Sequence, residues 1–182
     1  YYGTIARNWY FEGTSYWDFY LTKTQFNPFC SHPPLAFWLQ GLLFSIVGDV
    51  WYCDRLYALF MAILSGLAIL KIWTLFYKSD STWLPLFCWL LIPTVLWSFN
   101  NNLLENTLTA VCTWAVFFAL LPIKQPKTRL LSYLGVAIFT FLGLLTKGPV
   151  AAFPLIIPFF AFYYHQKKLT WTALLSLIIP GL

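Results

Sequence analysis

Charged side chains are scarce in this sequence: Asp, Glu, Lys and Arg make up 9% of its 182 residues. A soluble domain carries about 25%, whereas this chain is 60% hydrophobic, with a mean hydropathy of +0.69. The deficit excludes a soluble core and predicts an all-α, polytopic bundle of transmembrane helices. The net charge of +5 is then explained by topology-setting lysines in short loops, and it does not indicate a nucleic-acid partner.

Several common site motifs are also missing. There is no Walker motif, no Rossmann glycine fingerprint, no Ser-His-Asp pattern and no zinc-finger spacing, so soluble nucleotide binding has no support. The four cysteines form no CxxC pair. Cys88 and Cys112 lie in apolar runs and are predicted to be small buried residues, while a disulfide between Cys30 and Cys53 is left open.

The chain starts at Tyr1 without a methionine or a signal-peptide pattern, and it stops inside an apolar run. We therefore expect an internal piece of a longer protein, with some of its chemistry outside these residues. No linker or repeat divides the sequence. It is predicted to be part of one membrane domain, with an outer loop over residues 1–54 and transmembrane helices over residues 55–182.

The predicted outer loop begins with thirty aromatic and polar residues that contain no membrane-spanning stretch. Tyr and Trp at this density are typical of a membrane interface, so we expect an amphipathic loop with one or two short helices lying flat. The apolar run at residues 35–47 is too short to span and is predicted to be interfacial or re-entrant.

The remaining apolar runs are long enough to cross a bilayer, which requires about 20 residues. Pro85 and Pro93 are expected to bend the second of them. Spans are predicted at residues 56–77, 83–99, 106–121, 130–145, 150–164 and from 169 onward.

The loops predict the orientation of these spans. Basic residues collect on one side of the membrane, which the positive-inside rule makes cytoplasmic. They are Lys78, Lys124, Lys127, Arg129, Lys167 and Lys168. The opposite side holds residues 1–54, the turn at residues 100–105, and Lys147.

Lys147 stands between two apolar runs, followed by Gly148 and Pro149. Ionisable residues at this depth are functional candidates, and a lysine at a helix break suits a lipid-linked phosphate as a compact point charge. The alternative is a snorkelling lysine that fixes the depth of the helix. Its position opposite the topology lysines favours the functional interpretation.

Two further outer-side residues are candidates. Glu105 begins a predicted span, where a carboxylate favours the helix dipole; it could also orient substrate, act as a base or bind a metal in the same cavity as Lys147. His32 precedes two prolines that hold it extended, and it could bind an anion, a metal or a sugar or be an ordinary loop residue.

Other charged residues of the outer side have open roles. Arg7 and Arg55 could pair with carboxylates or bind phosphate. Asp18 and Glu12 could be catalytic acids or solvated loop residues.

Four segments carry a family resemblance: YYGTIARNWY (residues 1–10), SHPPLAFWLQGLLFSIVGD (31–49), NNLLENTLT (101–109) and LGLLTKGPVAAFPL (142–155). Together with Asp54-Arg55-Leu56, they resemble membrane glycosyltransferases of the glycosyltransferase C superfamily. These are the relatives of protein O-mannosyltransferases and the lipid A aminoarabinose transferase. The aminoarabinose enzymes have an acidic-basic pair where this chain has Ser31-His32, so the mannosyltransferase-like branch fits better.

The resemblance implies a multi-pass enzyme of the bacterial inner membrane. It would transfer a hexose or pentose from a polyprenyl-phosphate donor to a protein, lipid A or other glycan on the periplasmic or outer face. Its catalytic acid, the general base, would lie just upstream of Tyr1. Carried over by motif, His32 lines the active cavity, Glu105 is the acidic residue at the outer start of a helix, and Lys147 lies near the donor phosphate. Arg55 opens the following helix.

We expect inverting transfer, in which positive groups stabilise the departing polyprenyl phosphate. Lys147 is the best candidate for this role, with Arg7 or Arg55 in support; His32 and Glu105 would shape the cavity, and a divalent ion between them is left open. The competing class is a transporter or lipid-linked-sugar flippase, which also has interrupted helices. Two features argue against a transporter: the charged residues gather on one predicted membrane face instead of the midplane, and the sequence shows no pair of inverted repeats.

Overall fold

The computed structural model describes residues 1–13, 15–17, 19–22, 31–77, 81–157 and 160, and the part described is helical. Two helices, α1 (Tyr2–Glu12) and α2 (Leu35–Val47), lie in the segment predicted to be the outer loop. They are followed by α3 (Cys53–Phe76), α4 (Trp83–Leu90), α5 (Pro93–Asn100), α6 (Leu104–Lys124) and α7 (Arg129–Lys147). Short 3-10 helices lie at Pro126–Thr128 and Gly148–Ile156. The predicted all-α class is confirmed.

Three of the helical stretches are long and apolar enough to cross a membrane: Cys53–Phe76, Leu104–Lys124 and Pro126–Ile156. The spans predicted at 56–77, 106–121 and 130–145 match α3, α6 and α7 to within three residues at each end. Helix α2 has the predicted bounds and is apolar but short. These features define a multi-pass membrane protein.

The fourth candidate span is bent by 75° between α4 and α5. The break falls at Leu91 and Ile92, and Pro93 is the first residue of α5, so the predicted bend at Pro93 is confirmed. The predicted bend at Pro85 is wrong. Pro85 lies in the first turn of α4, where the missing N–H would have no helical partner.

A glycine with positive φ ends each of two helices. Gly48 follows α2 with φ 86°, and Gly148 follows α7 with φ 71°. Their ψ angles of −177° and −149° place both in a backbone region that is open essentially only to glycine, so each glycine lets the chain turn out of its helix. The predicted break after Lys147 is therefore confirmed, but residues 150–156, predicted to start a span, continue as a 3-10 helix. The rest of that span and the last predicted span lie outside the described residues.

Helix α6 lies at the centre of the bundle and makes its most extensive contacts with α7 and α3. The Tyr57 hydroxyl and Thr107 Oγ1 are 2.6 Å apart, and both residues are buried. About two helical turns further along both helices, the Trp114 indole donates to the carbonyl of Leu64 over 3.1 Å. Interhelical hydrogen bonds of this kind fix the register of α3 against α6.

Helices α1 and α2 pack on each other through a separate hydrophobic cluster. Ile5, Ala6 and Phe37 are fully buried there, together with Cys53 from the start of α3. Cys53 is a free thiol, and Cys30 lies outside the described residues. In the part described, α1 and α2 therefore rest on the start of α3 through packing, and Cys53 forms no disulfide.

Candidate substrate site

Lys147 and Glu105 form an ion pair. Lys147 is the last residue of α7 and Glu105 lies in the first turn of α6; Nζ donates to Oε1 over 2.5 Å. Both charges sit at the helix end that the helix dipole favours. The two side chains keep 30% and 46% of their surface exposed, so a ligand can reach both.

His32 joins this pair. Burial and the positive charge of Lys147 lower the pKa of the imidazole below its ordinary value, and the Glu105 carboxylate partly opposes this shift. The lowered pKa favours the neutral form of the imidazole. Three residues predicted from the sequence, from three different segments, are thus brought together in one site.

Tyr2 is a site residue that the sequence reasoning missed. Its ring stands edge-on to the His32 ring, with centroids 5.9 Å apart. Burial, followed by the charge of Glu105, raises the pKa of the phenol, while Lys147 opposes the shift. Tyr2 is one of many aromatic residues in the sequence, so its residue type did not distinguish it. Its place in the YYGTIARN segment was the feature that could have identified it.

Arg7 lies in a different ion pair. Its guanidinium clamps the Asp49 carboxylate with two hydrogen bonds: Nε to Oδ1 at 2.7 Å and Nη2 to Oδ2. The pair is exposed and joins α1 to the end of α2. The hydrogen bond raises the pKa of Arg7 and lowers that of Asp49, so in this structure Arg7 is engaged by a carboxylate of the outer loop.

The remaining predicted residues are dispersed. Arg55 is exposed in the first turn of α3, next to Asp54. Glu12 accepts a 3.1 Å hydrogen bond from the Tyr20 hydroxyl, which gives it a bracing role at the end of α1. Asp18 lies outside the described residues. Among the residues described, no three His, Cys, Asp or Glu side chains are grouped to hold a metal ion.

One cavity borders the site at Glu105, and a second lies within the bundle. One of about 290 Å³ lies between α5 and α6 and is lined by Glu105, Trp97 and the hydroxyl-bearing Thr94 and Ser98. A second, of about 420 Å³, lies between α3, α6 and α7 and is almost wholly apolar. The site thus adjoins a cavity of mixed polar and apolar lining at Glu105, and a separate apolar cavity lies within the bundle.

A multi-pass helical protein with a lysine-carboxylate pair at one membrane face is the class that this fold and site define. The family model described as dolichyl-phosphate-mannose-protein mannosyltransferase matches residues 31–180. The chain belongs to this family.

A curated relative is the undecaprenyl phosphate-alpha-4-amino-4-deoxy-L-arabinose arabinosyl transferase 1 of Proteus mirabilis (strain HI4320). It is 27% identical to this chain over 128 residues, which is 65% of this chain and 22% of that protein. The chain therefore spans only about a fifth of that relative's length. No solved structure matches the chain.

Proposed function

We propose that the full-length protein is a glycosyltransferase that moves a sugar from a polyprenyl-phosphate donor to an envelope acceptor. The observation that carries this proposal is the Lys147–Glu105 pair beside His32, where α7 ends and α6 begins. Family membership supports it. Similarity to the Proteus mirabilis relative, which is named as a transferase for an undecaprenyl-phosphate sugar, supports it as well.

Lys147 would bind the donor phosphate. Its ammonium is held at a helix end, where a point charge can meet a phosphate at the lipid surface. In the transition state the bond between the anomeric carbon and the phosphate oxygen breaks, and negative charge grows on the leaving phosphate. A fixed cation there stabilises the transition state more than the ground state.

The general base would be a carboxylate just upstream of Tyr1. It accepts the proton of the acceptor hydroxyl, whose oxygen forms the new bond to the anomeric carbon. Glu105 would hold Lys147 in place until the phosphate binds, and neutral His32 would donate or accept a hydrogen bond at the sugar-phosphate. A divalent ion is not required by this scheme.

The polyprenyl chain would lie in the apolar cavity between α3, α6 and α7, since Phe60, Trp114 and Phe139 offer it a hydrocarbon surface. The donor would then meet the site from the membrane side and the acceptor from the water side. With the basic loops in the cytoplasm, the site faces the periplasm or exterior of a bacterial inner membrane.

The test is transfer of radiolabelled sugar by the purified full-length protein in detergent. It is offered polyprenyl-phosphate mannose and polyprenyl-phosphate aminoarabinose separately, with a membrane extract as acceptor. Label should move from the lipid to a protein, lipid A or glycan fraction, and the preferred donor identifies a hexosyl or pentosyl transferase. A flippase would move the intact lipid across vesicles and leave the label on it.

A further inference from the structure

A chain of side-chain hydrogen bonds runs beneath the candidate site. Gln40 of α2 donates through Nε2 to Oδ1 of Asp54 at 2.6 Å, and Asn102 donates through Nδ2 to Oε1 of Gln40 at 3.2 Å. Gln40 is 2% exposed and Asn102 is 7% exposed. Each of these hydrogen bonds fixes the orientation of a side-chain amide. Together they hold three segments against one another: α2, the start of α3, and the turn before α6.

One end of the chain leads to Glu105. Asn102 has φ 48°, in the left-handed region that asparagine tolerates better than most side chains. It ends the turn after α5, and α6 begins two residues later at Leu104. The anchored Asn102 therefore fixes the entry of the backbone into α6 and the place of Glu105 in its first turn.

The other end of the chain leads to Tyr2. The Asp54 carboxylate lies against Gly3 of α1 so closely that a Cβ at Gly3 would stand 2.1 Å from Oδ1. Glycine is required for this approach. Gly3 follows Tyr2 directly, so Asp54 also fixes the start of the helix that carries Tyr2 to His32.

We propose that Asp54 is a positioning residue for sugar transfer, joining the outer-loop half of the site (Tyr2 and His32) to the bundle half (Glu105 and Lys147). It touches no substrate and acts through Gln40, Asn102 and Gly3. This inference rests on the proposed function. A hydrogen bond to a charged group is stronger than one between neutral groups, so the Gln40–Asp54 bond can hold α2 firmly against α3. The same Asp54 carboxylate also contacts Gly3 of α1.

The first test uses kcat and KM of the full-length enzyme. Asp54→Leu and Gln40→Leu should each lower kcat by about tenfold or more, because small misplacements of reacting groups are costly, with the KM for donor changed little. Asp54→Asn should retain most activity, because its amide oxygen still accepts from Gln40. The double variant Asp54→Leu/Gln40→Leu should be no worse than the worse single variant.

Asn102→Gly disturbs the fold less and replaces Asp54→Leu in this test if that variant does not fold. Glycine adopts the same positive φ, so this change removes only the side-chain link to Gln40. Its kcat should also fall. A merely structural role would lower the yield of folded enzyme and leave kcat per folded molecule at the wild-type value, which would overturn the proposal.

The second readout needs no sugar transfer. The NMR titration of His32, assigned by its loss in His32→Gln, should move toward the ordinary value of 6.5 in Asn102→Gly as the two halves separate, and should not move in Asp54→Asn. If the wild type transfers no sugar but His32 responds in this way, the proposed function fails and the linkage stands. If the wild type is active and these variants change neither kcat nor the titration, Asp54 is not a positioning residue.

Discussion

Lys147 Nζ lies 2.5 Å from Oε1 of Glu105, although the two residues are 42 positions apart. The contact closes one end of the α6–α7 pair, which is the most extensive helix contact of the described bundle. A partly exposed ion pair contributes little to stability. A binding role for the two charges is our proposal, and the first two predictions test it.

The first prediction concerns the lysine. Lys147→Ala should lower donor use by about a hundredfold, because a preorganised charge on the leaving group contributes most in the transition state. Lys147→Arg should keep part of the activity. Transfer rate and membrane protein level are measured side by side, and equal loss of both in Lys147→Ala would identify a structural lysine.

The second prediction concerns the carboxylate. Glu105→Gln should tighten binding of unsubstituted polyprenyl phosphate by about fivefold, since two unit charges ~4 Å apart interact by ~1 kcal/mol in water. Removing the carboxylate leaves Lys147 free for the phosphate. Glu12→Gln is the matched control, because Glu12 accepts from Tyr20 instead. Weaker phosphate binding in Glu105→Gln would contradict the idea that the carboxylate competes for the lysine.

The third prediction is a pH dependence set by His32. Its pKa is lower in the fold than the ordinary value of 6.5, so the folded state prefers the neutral imidazole. This contribution to stability is fully present above pH 6.5 and is lost as pH falls from 6.5 through the folded pKa. Thermal unfolding between pH 5 and 7.5 should show this slope, and His32→Gln should remove that component.

The fourth prediction separates Arg7 from the donor. Arg7→Gln and Asp49→Asn should each change transfer little, because the two side chains satisfy each other on an exposed surface. Any effect on stability should weaken further in high salt, which screens exposed charges. A loss of donor affinity in Arg7→Gln but not in Asp49→Asn would instead restore Arg7 to the phosphate site.

The fifth prediction tests the packing beneath the site. A Cβ at Gly135 would lie 2.3 Å from the Phe118 ring, so Gly135→Ala must push α7 from α6. We expect a loss of about 1–3 kcal/mol, as for other overpacked cores. Gly66→Ala is the control, because its nearest neighbour is the flexible end of Leu86 at 3.2 Å. Unfolding in a denaturing detergent series compares the two.

Much of the fold could be predicted from the sequence. Apolar length alone located α3, α6 and α7, because a membrane-spanning helix must carry about 20 apolar residues whatever its neighbours are. The shorter apolar run at residues 35–47 located α2. Gly148 and Pro93 gave the breaks, since their backbone restrictions act locally. The bend predicted at Pro85 was wrong because Pro85 lies in the first turn of α4, where a proline leaves the helix intact.

The candidate site could be predicted only in part. Lys147, Glu105 and His32 stood out because an ionisable side chain among apolar residues is costly and needs an explanation. Arg7 is equally charged, and only the structure showed that Asp49 engages it. Asp54, Gln40 and Asn102 gave no sequence signal, because each is an ordinary polar residue until the fold brings it to the others.

The sequence by itself thus determined the class of protein, the helices and the unusual charges, since these follow from local composition and from the bilayer as solvent. The tertiary structure alone decided which charges meet. Hydrogen bonds act over about 3 Å, and residues 42 or 62 positions apart come that close only when α2, α6 and α7 pack together.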